Sequence, residues 1–314
     1  MRILVIGAGS IGRRHAENLT TLGAVATLLP WRETSATDVE RRLSRGDAEA
    51  VVIATATDIR LPLIQACASA DVPFYCEKPV AFRLAELEAI AMTAAPLASR
   101  SMAGYMMRYH AGFRALAALD LHDAHRFSLT IGHDVTQWRA NWRFSASYAA
   151  RAEGGGVLLD LCHEVDMAAC LFPDLQLVSC DSTGHAAYPG VDMASVLNLR
   201  RRSTTGTVAM DYLCPRLVRR CLIDTPGLSA DFDFAAGSYR IATAKGIDTP
   251  SLQQDRNDMF LDAMRDFLAL VEGKAPPSAN PFVPRFDRTL SASALIARAW
   301  EARVFRGLTA KDIP

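Results

Sequence analysis

Ile3-Leu4-Val5-Ile6-Gly7-Ala8-Gly9-Ser10-Ile11-Gly12 runs four apolar residues straight into Gly-x-Gly-x-x-Gly. The apolar run reads as a strand buried on both faces, as in a parallel sheet. Helical spacing begins at Gly12 and continues to Leu22, so the glycines sit on a strand-to-helix turn. In that setting Gly7 permits the tight turn and Gly9 lets backbone N–H groups approach a pyrophosphate at the helix N-terminus. Gly12 lets helix and strand pack closely. Gly7, Gly9, Ser10, Ile11 and Gly12 therefore form a candidate dinucleotide site.

Outward from this turn the same rhythm repeats. Apolar runs at Val25-Leu29, Ala50-Ala54, Pro73-Cys76 and Ser101-Tyr105 alternate with helical patterns at Ala36-Arg45, Leu61-Ala70 and Leu84-Ala94. Alternation of this kind predicts a doubly wound parallel sheet, a Rossmann domain over residues 1–118. After about residue 120 strand-like stretches follow one another at His125-Gly132, Leu175-Ser182, Ala194-Arg200, Gly206-Leu213, Leu217-Ile223 and Leu228-Phe232. Strands without intervening helices predict a mainly antiparallel sheet. Helices are expected at Val157-Phe172, at Met259-Val271 with one apolar stripe, and at Ala292-Val304. The first two should cover a face of that sheet, and the proline-rich 273–284 stretch reads as a loop. The fold class is thus α/β, with residues 119–314 forming a second α/β domain around a large, open, mainly antiparallel sheet.

Composition narrows the partners. At 314 residues two cores are expected rather than one. Lys+Arg and Asp+Glu both total 34, so no net field attracts a polyanion, and nucleic acid is not expected as a partner. No apolar run reaches the ~18 residues of a membrane span, which points to a cytoplasmic protein without a membrane role. The seven cysteines are scattered and never spaced Cys-x-x-Cys, so neither a disulfide framework nor a metal site is expected.

Cofactor choice turns on the end of the second strand, Leu28-Leu29-Pro30-Trp31-Arg32. No carboxylate stands there for a ribose 2′-hydroxyl before Glu33, whereas Arg32, with Thr34 and Ser35 nearby, suits a 2′-phosphate. NADP is therefore preferred over NAD. Cys76-Glu77-Lys78-Pro79 should lie at the carboxyl edge of the sheet, where open α/β folds bind ligands. Gly154-Gly155-Gly156 leads into Val157-Leu158-Leu159-Asp160-Leu161-Cys162-His163-Glu164-Val165-Asp166. On a continuous helix Asp160, His163 and Asp166 would share one face, and such a polar stripe is costly to bury unless it is paired or faces a cleft.

These residues, in this order and spacing, resemble the Gfo/Idh/MocA oxidoreductases. The resemblance rests on the glycine turn, Thr55-Ala56-Thr57, Glu77-Lys78-Pro79, and Gly-Gly-Gly-x-Leu-x-Asp with the following histidine. Gly104-Tyr105-Met106-Met107-Arg108-Tyr109-His110 and Ser147-Tyr148-Ala149-Ala150 look like a branch associated with sugar metabolism. What the resemblance implies is a catalytic set of Lys78, Asp160 and His163. Lys78 would bond the reacting oxygen and His163 would move the proton as hydride passes to or from nicotinamide; Asp160 would orient this pair. It also implies cofactor contacts at Thr55, Thr57, Glu77 and Lys78, and a homodimer or homotetramer. This sequence departs from the family in having three residues, not four, from Asp160 to His163, which puts Glu164 at the usual histidine place. Either His163 or Glu164 could then face the substrate, with His163 favoured by its step to Asp166. Arg60 stands where histidine is frequent, and Ala111 where proline is frequent.

Further substrate contacts are expected at Tyr105, Arg108, His110, Trp138 and Tyr148, with Trp142 and Arg143 nearby, because arginine and aromatic side chains suit a hydroxylated or carboxylated sugar. The expected function is an NAD(P)-dependent dehydrogenase or reductase acting on a CH–OH group of a sugar, cyclitol or related compound. Two alternatives stand beside it: a non-catalytic NAD(P) or sugar sensor, and an NAD-dependent glycoside hydrolase of the same fold.

Overall fold

A computed structural model describes residues 1–138 and 143–313. The chain forms two compact units, Met1–His110 with Gln254–Ala294, and Ala111–Gln253 with Leu295–Pro314.

The first unit is built on β1 (Arg2–Ile6), β2 (Val25–Leu29), β3 (Ala50–Ile53), β4 (Phe74–Cys76) and β5 (Met102–Ala103). They form one parallel sheet in the order β2-β1-β3-β4-β5. Crossover helices α1 (Ser10–Thr21), α2 (Ala36–Ser44), α3 (Arg60–Ser69) and α4 (Leu84–Ala94) connect or follow the strands. Ile3, Leu4, Val5 and Ile6 are each at most 2% exposed, as are Ala50 to Ile53, which explains their unbroken apolar runs. Strand order reverses between β1 and β3, and the crevice at their carboxyl ends is where such sheets bind ligands.

The segment returning from the far end of the chain completes this unit. Arg285 bridges Met102, while Ala103 N–H donates to Pro284 O and Phe286 N–H to Ser101 O, so the β5 edge is covered. The helix over Arg256–Val271, α8 in chain order, was expected on the second sheet but belongs to this first unit, where it packs against α1. Its Phe260 ring lies 6.0 Å from that of His15 on α1, and its Phe267 ring 5.8 Å from Tyr75. The apolar stripe was read correctly, but a stripe does not specify which surface covers it.

The second unit begins with α5 (Ala111–Ala117) and centres on β6 (Arg126–Gly132), β7 (Gln176–His185), β8 (Tyr188–Arg201), β9 (Thr204–Asp211), β10 (Val218–Asp224), β11 (Leu228–Asp233), β12 (Ser238–Thr243), β13 (Gly246–Asp248) and β14 (Arg303–Thr309). These make a nine-stranded sheet in the order β13-β12-β11-β10-β6-β9-β8-β7-β14. It is antiparallel except where β6 meets β9 and β7 meets β14. The sequence does not announce β12, β13 or β14: β13 and β14 are mostly exposed, and β12 buries only Tyr239. The last helix, α9 (Leu290–Glu301), ends before β14 begins.

The helix expected from Val157 to Phe172 is two helices, α6 (Val157–Asp160) and α7 (His163–Leu171). The break falls at Leu161 (φ −103°, ψ 27°) and Cys162 (φ −69°, ψ 0°). Asp160 and His163 thus stand on different helices and do not form one helical stripe. Val157, Leu158, Leu159, Cys162 and Val165 are all buried, so the apolar pattern passes through the break unchanged.

Candidate functional site

The glycine turn connects β1 to α1, and its three glycines do different work. Gly7 adopts φ +108°, and a Cβ there would strike the carbonyl oxygen of Ala54; a Cβ on Gly12 would overlap the carbonyl of Gly7. Both positions are dictated by the packing of strand and helix. Around Gly9, by contrast, a Cβ would meet no atom within 4 Å among the described residues beyond its chain neighbours. Packing therefore leaves open space over the N-terminus of α1, whose first turn, including the amides of Ser10 and Ile11, carries no acidic residue. Nearby in the fold, at the end of β3, the Thr55 hydroxyl is buried without a hydrogen-bond partner, and Thr57 is buried in a short helical turn. An open cradle at a helix N-terminus and an orphaned hydroxyl fit a dinucleotide pyrophosphate.

After β2, Thr34 spends its hydroxyl on Pro30 O (3.0 Å) and Ser35 caps α2 in a reciprocal pair with Asp38. Arg32 remains exposed.

At the end of β4 the Glu77 carboxylate is engaged by neighbouring groups of the protein. It lies 2.7 Å from His15 Nε2 and accepts from the Lys78 N–H at 3.2 Å. Burial alone would raise its pKa, but the His15 hydrogen bond and the charges of His15, Lys78 and Arg60 hold it below the ordinary carboxylate range. Lys78 follows, half-buried, with a cis peptide to Pro79. Arg60, at the start of α3, bonds the carbonyls of Thr55 (3.0 Å), Glu77 and Lys78 (3.5 Å). Tyr105 is fully buried and shares a 2.9 Å hydrogen bond with Ser293, and Arg108, 3% exposed, lies over its ring. Both side chains are thus buried, whereas His110 is half-buried.

In the second unit the triple glycine leads to Asp160, whose carboxylate accepts from Tyr148 (2.5 Å) and Tyr212 (2.9 Å). Tyr212 is fully buried; burial first, then the Asp160 charge, holds its phenol well above the usual range, so it acts as a fixed donor. The rings of Trp138 and Phe144 stand edge-on to Tyr212, at 5.4 and 5.8 Å. Tyr148 is 50% exposed and Arg143 is exposed, while Trp142 lies outside the described residues. Gly156 (φ +94°) leaves room for Asp192, which accepts from the Leu158 N–H at 2.9 Å and pairs with Arg303. Asp192 thereby pins the start of the helix that carries Asp160.

His163, 8% exposed, opens α7. Glu164, its rival, is 1% exposed and receives both Arg219 Nε (2.5 Å) and Nη2 (3.2 Å). A carboxylate so enclosed is committed to its ion pair. His15, Tyr212, Asp192, Arg219 and Arg303 escaped sequence reasoning, because each acts through a partner tens of residues away.

Among the described residues no helix is long and apolar enough to cross a membrane, and no cluster of three or more His, Cys, Asp or Glu side chains is placed to hold a metal ion.

Residues 1–105 match the GFO_IDH_MocA family, described as an oxidoreductase family with an NAD-binding Rossmann fold. Inositol 2-dehydrogenase 2 of Paenarthrobacter aurescens is 33% identical over 135 residues, which span 37% of this chain and 41% of that relative. Likeness of fold extends much further. UDP-N-acetylglucosamine 3-dehydrogenase GnnA from Acidithiobacillus ferrooxidans superposes with a TM-score of 0.76 at 18% identity, covering 96% of this chain and 97% of its own. A mutant of a 3-ketoreductase from Actinomadura kijaniata, in complex with TDP-benzene and NADP, gives 0.77 at 17% identity, covering 98% and 99%. The first 105 residues are thus similar to the Gfo/Idh/MocA oxidoreductases, a family described by an NAD-binding Rossmann fold.

Proposed function

We propose that this chain is an NAD(P)-dependent dehydrogenase or reductase acting on a CH–OH group of a sugar, cyclitol or related small compound. The observation that carries the reading is the open cradle at Gly9, at the carboxyl edge of the same sheet whose β4 leads into Lys78 two residues on. The inositol 2-dehydrogenase relative supports a polyhydroxylated substrate.

When bound, the nicotinamide supplies the hydride acceptor or donor. Gly7, Gly9, Ser10, Ile11 and Gly12 would hold its pyrophosphate, with Thr55 and Thr57 beside the strand ends and Arg32 toward a 2′-phosphate, which favours NADP over NAD. The Lys78 ammonium donates a hydrogen bond to the reacting oxygen and stabilises developing negative charge there. In oxidation His163 accepts the hydroxyl proton as the C–H bond breaks; in reduction it returns that proton to the carbonyl oxygen. The engagement of Glu164 by Arg219 favours His163 for this task. Asp160, fixed by Tyr148 and Tyr212, orients the catalytic group nearest it. Exposed Val178, Val196, Leu222 and Leu308 on the nine-stranded sheet support a homodimer or homotetramer.

The first test is titration of cofactor-stripped protein with NADH and NADPH, read by energy transfer from tryptophan, followed by a screen of myo-inositol, related polyols and nucleotide sugars for change in nicotinamide absorbance. Lys78→Ala should lower turnover by roughly 100-fold or more while cofactor affinity stays within about twofold. Binding without any redox turnover would favour the sensor, and glycoside cleavage without net absorbance change the hydrolase. Binding of neither nucleotide would remove the dehydrogenase reading altogether.

A further inference from the structure

Arg60 is a cation in the first turn of α3 and is 3% exposed. Both features are unfavourable by themselves, since a helix N-terminus repels positive charge and burial removes hydration. What compensates them lies at the ends of two neighbouring strands. The β3–β4 ladder closes at Ile53 and Cys76, with Glu77 N–H donating to Ile53 O at 2.9 Å. Beyond that point the carbonyls of Thr55, Glu77 and Lys78 have left the ladder, and the Arg60 guanidinium gathers all three. The Glu77 and Glu86 carboxylates both feel its charge, so the buried cation has anionic neighbours. A planar fork with several fixed N–H donors holds carbonyls on both loops at set positions, which an ammonium on a flexible stem does less rigidly.

We propose that Arg60 is a positioning residue that replaces the ended ladder and sets the spacing of the 55–57 and 77–79 loops. Through the backbone it holds Thr55 on the nucleotide side and Lys78 on the reacting side in a fixed relation. The second half of this statement rests on the reading of Lys78 as the reacting lysine; the first half does not.

The test is hydrogen–deuterium exchange of the full chain carrying Arg60→Lys or Arg60→Met, combined with nucleotide titration and steady-state kinetics on the best polyol. With the clamp lost, peptides covering 54–59 and 76–82 exchange about tenfold faster or more, as expected for lost charge-assisted hydrogen bonds, while β1 and α8 keep their wild-type rates. The dissociation constant for nucleotide rises and kcat falls, with the KM for polyol unchanged. Unchanged exchange in both loops overturns the proposal, as does an increase spread evenly through the sheet, which would make Arg60 an ordinary packing residue. If Arg60→Met does not fold, Arg60→Lys decides, since it keeps charge and stem and removes only the fork. A wild-type protein that binds no nucleotide and turns over no polyol defeats the functional reading, yet the exchange result still decides the role of Arg60.

Discussion

At the scale of single residues, charge and its partners decide most of the behaviour. Arg32 is exposed at the end of β2 while its polar neighbours are spent on the backbone. Arg32→Ala should weaken NADPH binding by roughly tenfold, the scale of one charge-assisted hydrogen bond, and leave NADH binding nearly untouched; competition titration of the two nucleotides checks this. Glu77 lies below the ordinary carboxylate range because the His15 bond and nearby cations outweigh burial. A carboxylate depressed in the folded state contributes stability that is fully present above its unfolded pKa and is lost as pH falls through the folded value. Wild-type protein should therefore lose Tm more steeply below about pH 4.3 than Glu77→Gln does, although the variant starts lower at neutral pH. Thermal unfolding across the acid range measures both slopes. The clear polar motifs at this scale, Lys78, Asp160 and His163, were legible in the sequence, but the tyrosines that hold Asp160 were legible only in part: Tyr148 stood out, and Tyr212 did not.

At the scale of elements, the strand–turn–helix at the start of the chain separates packing from binding. Gly12→Ala forces a Cβ into the Gly7 carbonyl and should cost about 1–3 kcal/mol of stability, as overpacked sites do. Gly9→Ala clashes with none of the described residues, so its Tm should stay within about 2 °C of wild type while nucleotide binding falls steeply. Equal loss of stability in both variants would show that Gly9 is there for packing. The parallel elements could be read because each is local: a buried strand, a turn and an amphipathic helix fall within some thirty residues. The break between α6 and α7 could not, since buried apolar residues continue through it. A different limit hid β12 to β14: β13 and β14 are almost wholly exposed and β12 buries a single side chain, Tyr239.

At the scale of the whole molecule, a few long-range pairs tie distant segments into each unit. In the first, Tyr109 donates to Asp266 at 2.9 Å and Asn280 to Arg108 O at 3.0 Å, which returns the 254–294 segment to the Rossmann sheet. In the second, Arg303 at the start of β14 pairs with the fully buried Asp192, which also caps the Leu158 amide. Arg303→Met leaves that carboxylate uncompensated and should cost about 3–5 kcal/mol, far more than an exposed pair would. Denaturant unfolding of the variant, with the double variant Arg303→Met/Asp192→Asn recovering part of the loss, checks this.

The sequence by itself determined the parallel α/β start, the glycine turn, the mainly antiparallel second sheet and the polar motifs, because each is written in residues close together along the chain. Only the tertiary structure decided where α8 packs, that Glu77 turns to His15 and Glu164 to Arg219, that two tyrosines hold Asp160, and that Arg60 joins the ends of β3 and β4. Buried polar and charged groups must find partners, but nothing local in the chain names which distant residue the fold will bring to them.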